Sequence, residues 1–529
     1  MLTEHSQAAT KNPSPAGQQG LGAKMIRNVL FGGLRYFVVT PIPFVMTPFI
    51  LHKIGVTGYG TWAIFLALNG LTSLADLGLV GTLSKFVAEY YARRDFVALS
   101  RLMNSGLALF LLLDVLITGT LWLATPLLTG MLFHGSTVPK ADLISMFRIF
   151  QVVIAANILN QLFGSVQGGL QRLDLMHVLG TGGIIMYNAF AAVLLLKGDG
   201  LRGLVHAYVL ASIILTIANY ILVRKLLPSI KLNPFEFSKS EARKMFGYSL
   251  RLYFTQAAVA VHNQVEKFLL ATFVSVAAVG WYDIASDVAL KIRGVLILIL
   301  TPVTAAASEL DALGDEMRLQ ELYYRAHKYL AVAGIPTVFY GAAVSSRFVE
   351  LWLGPNMKMI AWPLSVLLAV NFFNLASGPG FSILTGRGNL TPGIQSAILG
   401  VASNIVLSTV LIYKFGFAGA VMGTAGALIL GAGFYIIVFH RITHYSLFRV
   451  VREAYLKPIL CSAISLAAVR AVHPFSGLSW FGLVGMGAAF GSLFMLGILL
   501  SAFFDAYDWN RIERLLPIMR YARRTSSVA

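Results

Sequence analysis

The stretch RLYFTQAAVAVHNQVEKFLLATFVSVAAVGWYDIASDVALKIR, residues 251–293, decides how the rest of the chain is interpreted. Its apolar residues predict two membrane helices with a short turn between them. Among those apolar residues lie ionisable side chains: Arg251, His262, Glu266, Lys267, Asp283, Asp287, Lys291 and Arg293. An ionisable group in the core of a bilayer is costly unless it faces a cavity or a partner. We therefore expect these residues to line a water-filled path through a transporter.

The composition of the whole chain agrees with a membrane location. Of the 529 residues, 57% are hydrophobic and 12% are charged, whereas a soluble globular protein has about 25% charged residues. The single cysteine, Cys461, excludes an internal disulfide and a cysteine-based metal cluster. The sequence has neither a G-x-x-x-x-G-K-[ST] motif nor an H-E-x-x-H motif, so it predicts no nucleotide-driven motor, no zinc enzyme and no cofactor.

Apolar runs of the length that a bilayer requires predict an all-α polytopic membrane protein with about fourteen transmembrane helices, twelve being the alternative. The predicted spans are 26–51, 59–88, 102–132, 142–166, 174–196, 202–223, 247–272, 277–303, 329–345, 363–385, 394–413, 417–439, 456–472 and 481–504. The predicted domains are a disordered cytoplasmic tail (1–24), an N-lobe of spans one to six (25–223), a cytoplasmic linker (224–246), a C-lobe of spans seven to twelve (247–439), a surface helix with spans thirteen and fourteen (440–504), and a basic cytoplasmic tail (505–529). Span ten contains Gly378-Pro379-Gly380, where we expect a kink.

The distribution of basic residues predicts the orientation of these spans. If the amino terminus is cytoplasmic, most of the 41 lysine and arginine residues fall in cytoplasmic segments, as the positive-inside rule requires. Both termini are then cytoplasmic. Loops that contact anionic membrane lipid explain the net charge of +18, and the charge therefore indicates no nucleic-acid partner.

The two predicted six-helix lobes begin with similar sequences. Span one contains FGGLRYF (residues 31–37) and span seven opens with FGYSLRLYF (residues 246–254), so Arg35 and Arg251 occupy corresponding positions. Weak internal symmetry of this kind is typical of transporters built from repeats, whose substrate site lies between the repeats. We therefore expect two pseudo-symmetric lobes that share one site.

The acidic side chains of spans seven and eight are candidates for coupling transport to an ion gradient. Asp283, Asp287 and Lys291 recur every four residues on one face of span eight, and His262 and Glu266 have the same spacing on span seven. At about 1.5 Å per residue, these groups come to a similar depth and predict one mixed acid–base cluster. Such a cluster either exchanges a proton or cation, or it fastens the two helices through ion pairs, and the sequence favours neither.

Other ionisable residues in the spans suggest further roles. Asp76 on span two has no partner on its own helix and is a further coupling candidate. Asp114 on span three and Arg148 on span four predict an interhelical ion pair. The basic candidates predict a cationic cavity for an anionic substrate, because arginine binds phosphate through paired hydrogen bonds. These candidates are Arg35, Arg251, Lys267, Lys291 and Arg293.

The run GVTGYGTWAIFLALNGLTSLADLGLVGTLSKFVAEYYARRD, from Gly55 to Asp95, resembles a known family. It is similar to the polysaccharide-repeat-unit flippases of the multidrug/oligosaccharidyl-lipid/polysaccharide exporter superfamily. The matching residues are Gly55, Gly58-Tyr59-Gly60, Asp76-Leu77-Gly78-Leu79 and Ser84-Lys85-Phe86-Val87-Ala88-Glu89. The specific part of the resemblance covers residues 26–101.

This resemblance implies two six-helix bundles around a central cavity, with two extra helices at the carboxyl end and an alternating-access mechanism. It implies a flippase without a catalytic motif that moves undecaprenyl-pyrophosphate-linked oligosaccharide across the bacterial inner membrane, driven by an ion gradient, for surface or exopolysaccharide synthesis. Arg35, Arg251 and Lys291 would then meet pyrophosphate or acidic sugar. Polysaccharide polymerase and export machinery are further partners that it suggests.

Two other functions compete with the flippase. A cation-coupled multidrug antiporter of the same superfamily would share the fold, but it would favour an anionic, aromatic cavity over the buried arginine and lysine residues found here. A membrane glycosyltransferase or polysaccharide polymerase would have a sizeable external loop with clustered charges, and no predicted external loop is long enough.

Overall fold

The structure, a computed structural model, describes residues 38–71 and 78–509; for residues 248–263 it describes the backbone but not the side chains. Within these ranges the regular elements are all helices. The chain forms two compact units, one comprising the residues up to Met131 together with Ser136–Ala260, the other Leu132–Gly135 and the residues from Val261 onward. The prediction of an all-α polytopic fold is confirmed.

In its described residues, the first unit contains six helices and the beginning of a seventh. Their bounds are α1 Pro41–Gly70, α2 Leu79–Ala92, α3 Phe96–Leu132, α4 Lys140–Gly169, α5 Leu173–Leu196, α6 Gly200–Leu226 and α7 Lys239–Phe273. Helix α1 is broken at Gly55, where φ is 69°. Only glycine adopts that region without a steric cost, so Gly55 provides the turn expected between spans one and two.

The second unit contains the remaining helices. Their bounds are α8 Val276–Ile297, α9 Thr301–Ala312, α10 Glu316–Leu353, α11 Ala361–Leu375, α12 Gly378–Gly386, α13 Thr391–Phe415, α14 Phe417–Thr443, α15 Leu447–Val450, α16 Leu456–Val472 and α17 Trp480–Leu500. Short 3₁₀ turns at Leu298–Leu300 and Pro355–Ile360 and a π-helical turn at Val451–Tyr455 join some of them. The interruption expected in span ten occurs between Leu375 and Gly378, directly before Pro379, whose ring cannot continue the preceding helix.

Eleven helical segments of the described chain are long and apolar enough to cross a membrane. The chain is therefore a multi-pass membrane protein. Helices α1, α2 and α7 are not among the eleven; α1 and α2 adjoin residues that the structure does not describe, and α7 carries many ionisable residues. The count of fourteen stays a prediction.

The segment between α6 and α7, which lies within the predicted cytoplasmic linker, packs on helices of the first unit. Helix α6 ends at Leu226, and α7 begins at Lys239. The first two turns of α7 are largely polar and precede the predicted span by eight residues. The Tyr90 hydroxyl donates a hydrogen bond of 2.9 Å to Glu241, and the Asn104 amide donates one of 2.9 Å to Glu236. These contacts hold the segment before the span against α2 and α3.

Helices α13 and α14 of the second unit pack very closely. A Cβ atom on Gly423 would lie 2.6 Å from Cα of Ser408, and one on Gly419 would overlap the backbone of Leu411. Real Cβ atoms do not approach other atoms so closely, so the contact requires glycine at both positions. This approach brings the polar residues of α13 and α14 together.

Candidate coupling and binding site

The carboxylate of Glu266 lies buried in the second unit, with 2% of the residue exposed. It accepts a hydrogen bond of 2.9 Å from the Thr424 hydroxyl of α14 and another from the Asn404 amide of α13. Because Glu266 is on α7, the carboxylate joins three helices. Among the described side chains, the hydrogen-bond partners of this carboxylate are uncharged, and burying a charge without a charged partner is costly.

The hydrogen bonds around Glu266 form a directed chain. Tyr282 of α8 lies 2.8 Å, oxygen to oxygen, from Thr424. A threonine hydroxyl has one hydrogen, and Thr424 uses it toward Glu266, so Tyr282 is the donor in its own bond with Thr424. When Thr424 instead donates to the carbonyl of Ala420, 3.0 Å away, the carboxylate loses this partner. The network therefore has two proton arrangements.

Two further oxygen atoms lie close to this network. Within the described part of the chain, Oδ1 of Asn404 and Oγ of Ser408 are buried without a hydrogen-bond partner. Both residues are on α13, one helical turn apart, and both are fully buried. Among the described residues no group of three or more histidine, cysteine, aspartate or glutamate side chains could hold a metal ion.

Four further candidates of α7 and α8 form two ion pairs. Nζ of Lys267 lies 2.6 Å from Oδ1 of Asp283, and both side chains are largely buried. This pair fastens α7 to α8. Lys291 pairs with Asp287 four residues earlier on α8, where the aspartate is about half exposed. The described members of the predicted cluster thus form a hydrogen-bond network around Glu266, with uncharged partners, and two separate ion pairs.

Arg293 is the one described member of the predicted cationic set that makes no ion pair within the described part of the chain. Its guanidinium donates a hydrogen bond of 2.9 Å to Oδ1 of Asn374 on α11, and its Nε is buried without a partner. An arginine has five N–H donors. Arg293 therefore retains donors with which to bind an anion.

Several predicted site residues cannot be placed. Arg35 and Asp76 lie outside the described residues. Arg251 and His262 lie on α7, but their side chains are also outside the described part of the structure. Their roles stay predictions.

The predicted ion pair between Asp114 and Arg148 is wrong. In the described structure no salt bridge joins them; Oδ1 of Asp114 and Nε of Arg148 are each buried without a hydrogen-bond partner. The Arg148 guanidinium instead lies 4.7 Å from the ring centre of Trp122. Stacking on an aromatic face stabilises a weakly hydrated guanidinium, which sequence spacing alone does not reveal.

Sequence reasoning missed the uncharged members of the Glu266 network. Asn404, Thr424 and Tyr282 lie in apolar runs in which a search for ionisable residues has no reason to select them. A signal was available for Asn404, since an amide within a membrane span requires a hydrogen-bond partner. The spacing of Gly419 and Gly423 also indicates close helix packing.

The described helices define a class: a multi-pass α-helical membrane protein. The family described as "Polysaccharide biosynthesis protein" matches residues 25–306. The chain belongs to this family, which confirms the resemblance drawn from residues 26–101.

Individual relatives agree with that assignment. The chain is 21% identical over 418 residues to a Shigella flexneri protein named "Putative O-antigen transporter", covering 77% of this chain and 96% of that protein. The fold of the present chain is similar to that of a solved structure of the lipid II flippase MurJ in an inward closed conformation, with a TM-score of 0.72. The two sequences are 16% identical, and the match covers 88% of this chain and 98% of the MurJ chain. The fold is also similar to that of an inward-facing multidrug resistance MATE family transporter of the MOP superfamily, with a TM-score of 0.60 and 16% identity. This match covers 78% of this chain and 94% of the transporter. The likeness to both structures shows the fold alone.

Proposed function

We propose that the chain is an alternating-access flippase that moves undecaprenyl-pyrophosphate-linked oligosaccharide repeat units across the bacterial inner membrane, for surface or exopolysaccharide synthesis. Both termini are cytoplasmic in this proposal, as the positive-inside rule predicts. Membership of the polysaccharide biosynthesis family and the similarity to a protein named as an O-antigen transporter support the substrate class. The chain acts in this account as a transporter and not as an enzyme.

The observation that carries the proposed coupling is the burial of Glu266 among Thr424, Asn404 and Tyr282. In this proposal, Glu266 binds the coupling ion, a proton or a singly charged cation, when the ion reaches it. Occupation of the site changes the hydrogen bonds that join α7, α13 and α14. An ion gradient can drive a conformational change only if the ion binds one state more tightly than the other.

For the substrate, we propose that the basic candidates Arg35, Arg251 and Arg293 bind its anionic pyrophosphate. Arg293 is the described residue that best fits this role, because it has unused donors and no carboxylate partner within the described part of the chain. Lys267 and Lys291 are held by Asp283 and Asp287 in this structure, so they would bind pyrophosphate only after those pairs open. Asp76 and His262 remain further coupling candidates.

A transport assay distinguishes this function from multidrug antiport. The purified full-length protein is reconstituted into liposomes that contain undecaprenyl-pyrophosphate-linked oligosaccharide, and a glycan-modifying enzyme added outside reports the oligosaccharide that reaches the outer leaflet. We expect transfer of the lipid-linked oligosaccharide and no efflux of a cationic dye such as ethidium. Dye efflux without oligosaccharide transfer would favour the antiporter and contradict the proposal.

A further inference from the structure

A cavity of about 760 Å³ lies in the second unit beside the carboxyl-terminal helices. It is bounded by the first turns of α10, by the π-helical turn Val451–Tyr455 with the start of α16, and by the residues that follow α17. Its ionisable lining residues are Glu321, Arg325, Lys328, Arg449, Arg452, Glu453, Lys457 and Asp505. None of these residues belongs to the Glu266 network or to the predicted cationic site.

On one wall of the cavity, two cations are paired with three carboxylates. Arg325 lies 2.8 Å from Asp508 and 2.6 Å from Glu321. Lys328 also pairs with Asp508, which is 1% exposed. Asp505 lies within 3.3 Å of Arg325. These pairs satisfy the cations of α10 internally, so this wall has no excess positive charge.

The opposite wall has an excess of positive charge. Arg449 pairs with Glu453. Among the described residues, Lys457 donates to the carbonyls of Ser501 and Ala502, 2.7 Å and 3.4 Å away, and to no carboxylate. Arg452 is exposed and makes no ion pair within the residues that the structure describes. Three cations therefore face one carboxylate on this side.

The π-helical turn brings these cations together. On an α-helix, residues five apart point about 140° away from each other, since each turn has 3.6 residues. A π-helical turn is closed by hydrogen bonds between residues five apart, so two residues with that spacing lie on the same side of the helix. Arg452 and Lys457 are five apart across the π-helical turn, and both line the cavity. Turns of this kind are frequent at functional sites.

An exposed apolar stripe runs from the cavity along α16. Leu456 lines the cavity, and Leu460 and Ile464 follow at intervals of four residues on the same helix face. Their exposed fractions are 47%, 51% and 68%. An apolar stripe on a membrane helix faces acyl chains, so the cavity joins a cationic wall to a lipid-facing surface.

We propose that this cavity binds the phosphate-bearing head group of an anionic glycerophospholipid, with an acyl chain along Leu456, Leu460 and Ile464. Arg449, Arg452 and Lys457 supply charge-assisted hydrogen bonds to the phosphate. The lipid is a partner distinct from the transported oligosaccharide, and the proposal does not depend on the proposed function. The apolar stripe is the observation that favours a lipid over a soluble phosphate.

Native mass spectrometry of the full-length protein tests this site. The protein is reconstituted into nanodiscs of either dioleoyl phosphatidylglycerol or dioleoyl phosphatidylcholine and then extracted. The amount of lipid that remains bound to the protein is compared between the two. We expect selective retention of phosphatidylglycerol, and an affinity lower by roughly fivefold in Arg452→Gln, because each basic residue near an anionic lipid contributes about 1 kcal/mol. Arg470→Gln, on the exposed last turn of the same helix, is the matched control and should bind like the wild type.

Two results would overturn the proposal. One is equal retention of phosphatidylglycerol by the wild type, Arg452→Gln and the triple variant Arg449→Gln/Arg452→Gln/Lys457→Gln. The other is complete displacement of phosphatidylglycerol by excess inorganic phosphate, which would identify a site for soluble phosphate. Because Arg452 makes no ion pair in the described structure and is exposed, its substitution leaves the fold intact.

Discussion

Thr424 donates a hydrogen bond of 2.9 Å to the buried carboxylate of Glu266, and this bond joins α14 to α7. The donor is itself positioned by the Tyr282 hydroxyl 2.8 Å away. When a buried charged acceptor loses its donor, the desolvation of the acceptor is no longer compensated and the folded state is destabilised. The bond is therefore a structural link between the two helices.

Replacing Thr424 with valine keeps the shape of the side chain and removes this bond. We expect Thr424→Val to lower the free energy of unfolding by about 1–3 kcal/mol and to weaken the ion dependence of transport. Thr337→Val is the matched control, since the Thr337 hydroxyl donates only to a backbone carbonyl of its own helix, 2.7 Å away. Equal effects of the two substitutions on ion dependence would contradict a role for Thr424.

The two ion pairs of the second unit should differ in strength. Removing one partner of a buried pair leaves an unpaired charge, and we expect Asp283→Asn to lower the free energy of unfolding by about 3–5 kcal/mol. Asp287→Asn breaks a pair whose aspartate is 46% exposed, and we expect a loss of about 0–1 kcal/mol. Thermal unfolding of the solubilised protein measures both; a greater loss for Asp287→Asn would refute the assignment of Lys267–Asp283 as the fastening pair.

The contact between α13 and α14 should not tolerate a methyl group at Gly423. A Cβ atom there would meet the backbone and hydroxyl of Ser408, and we expect Gly423→Ala to destabilise the protein by about 1–3 kcal/mol through overpacking. On the same helix, a Cβ atom on Gly433 would have no atom within 4 Å. Gly433→Ala should be neutral or slightly stabilising, because alanine favours a helix. The apparent melting temperatures of the two variants test this prediction. Similar values for both variants would contradict close packing of α13 against α14 at Gly423.

The linker contact predicts a dependence of stability on pH. Lys244 precedes the predicted span, and its hydrogen bonds to Glu241 and Tyr90 raise its pKa above the ordinary lysine value. A group with a raised pKa in the folded state stabilises the protein fully below its unfolded pKa, which is about 10.4 for lysine. That contribution disappears as the pH rises through the folded pKa. The melting temperature of Lys244→Met should thus be slightly below that of the wild type near neutral pH and equal to it at higher pH; a difference that widens with pH would contradict this account.

The sequence predicted the helical class and the family, because long apolar runs and the motif between Gly55 and Asp95 carry that information directly. It also selected Glu266, because a carboxylate in a membrane span is unusual. It could not show that Asn404 and Thr424 surround this carboxylate, since residues more than a hundred positions apart meet only through helix packing. Nor could it show that Lys267 pairs with Asp283, because several oppositely charged partners had similar depths.

The failure at Asp114 and Arg148 has a related cause. Opposite charges on successive spans suggested a pair, but the rotation of each helix about its axis decides which side chains meet. The Arg148 guanidinium lies on Trp122 instead. Periodicity gives the face of one helix, and it does not give the neighbour that the face contacts.

The most direct test of the central claim is the response of Glu266→Gln to an ion gradient. Glutamine keeps an oxygen that accepts the hydrogen bonds of Thr424 and Asn404 but cannot take up a proton or balance a cation. Oligosaccharide transfer is measured in liposomes with and without an imposed proton or sodium gradient. The control is Asp142→Asn, which removes a carboxylate from an exposed ion pair with Arg202 outside the proposed sites. We predict that a gradient accelerates transfer by the wild type and by Asp142→Asn but not by Glu266→Gln. Acceleration of Glu266→Gln to the same extent as the wild type would contradict coupling through Glu266.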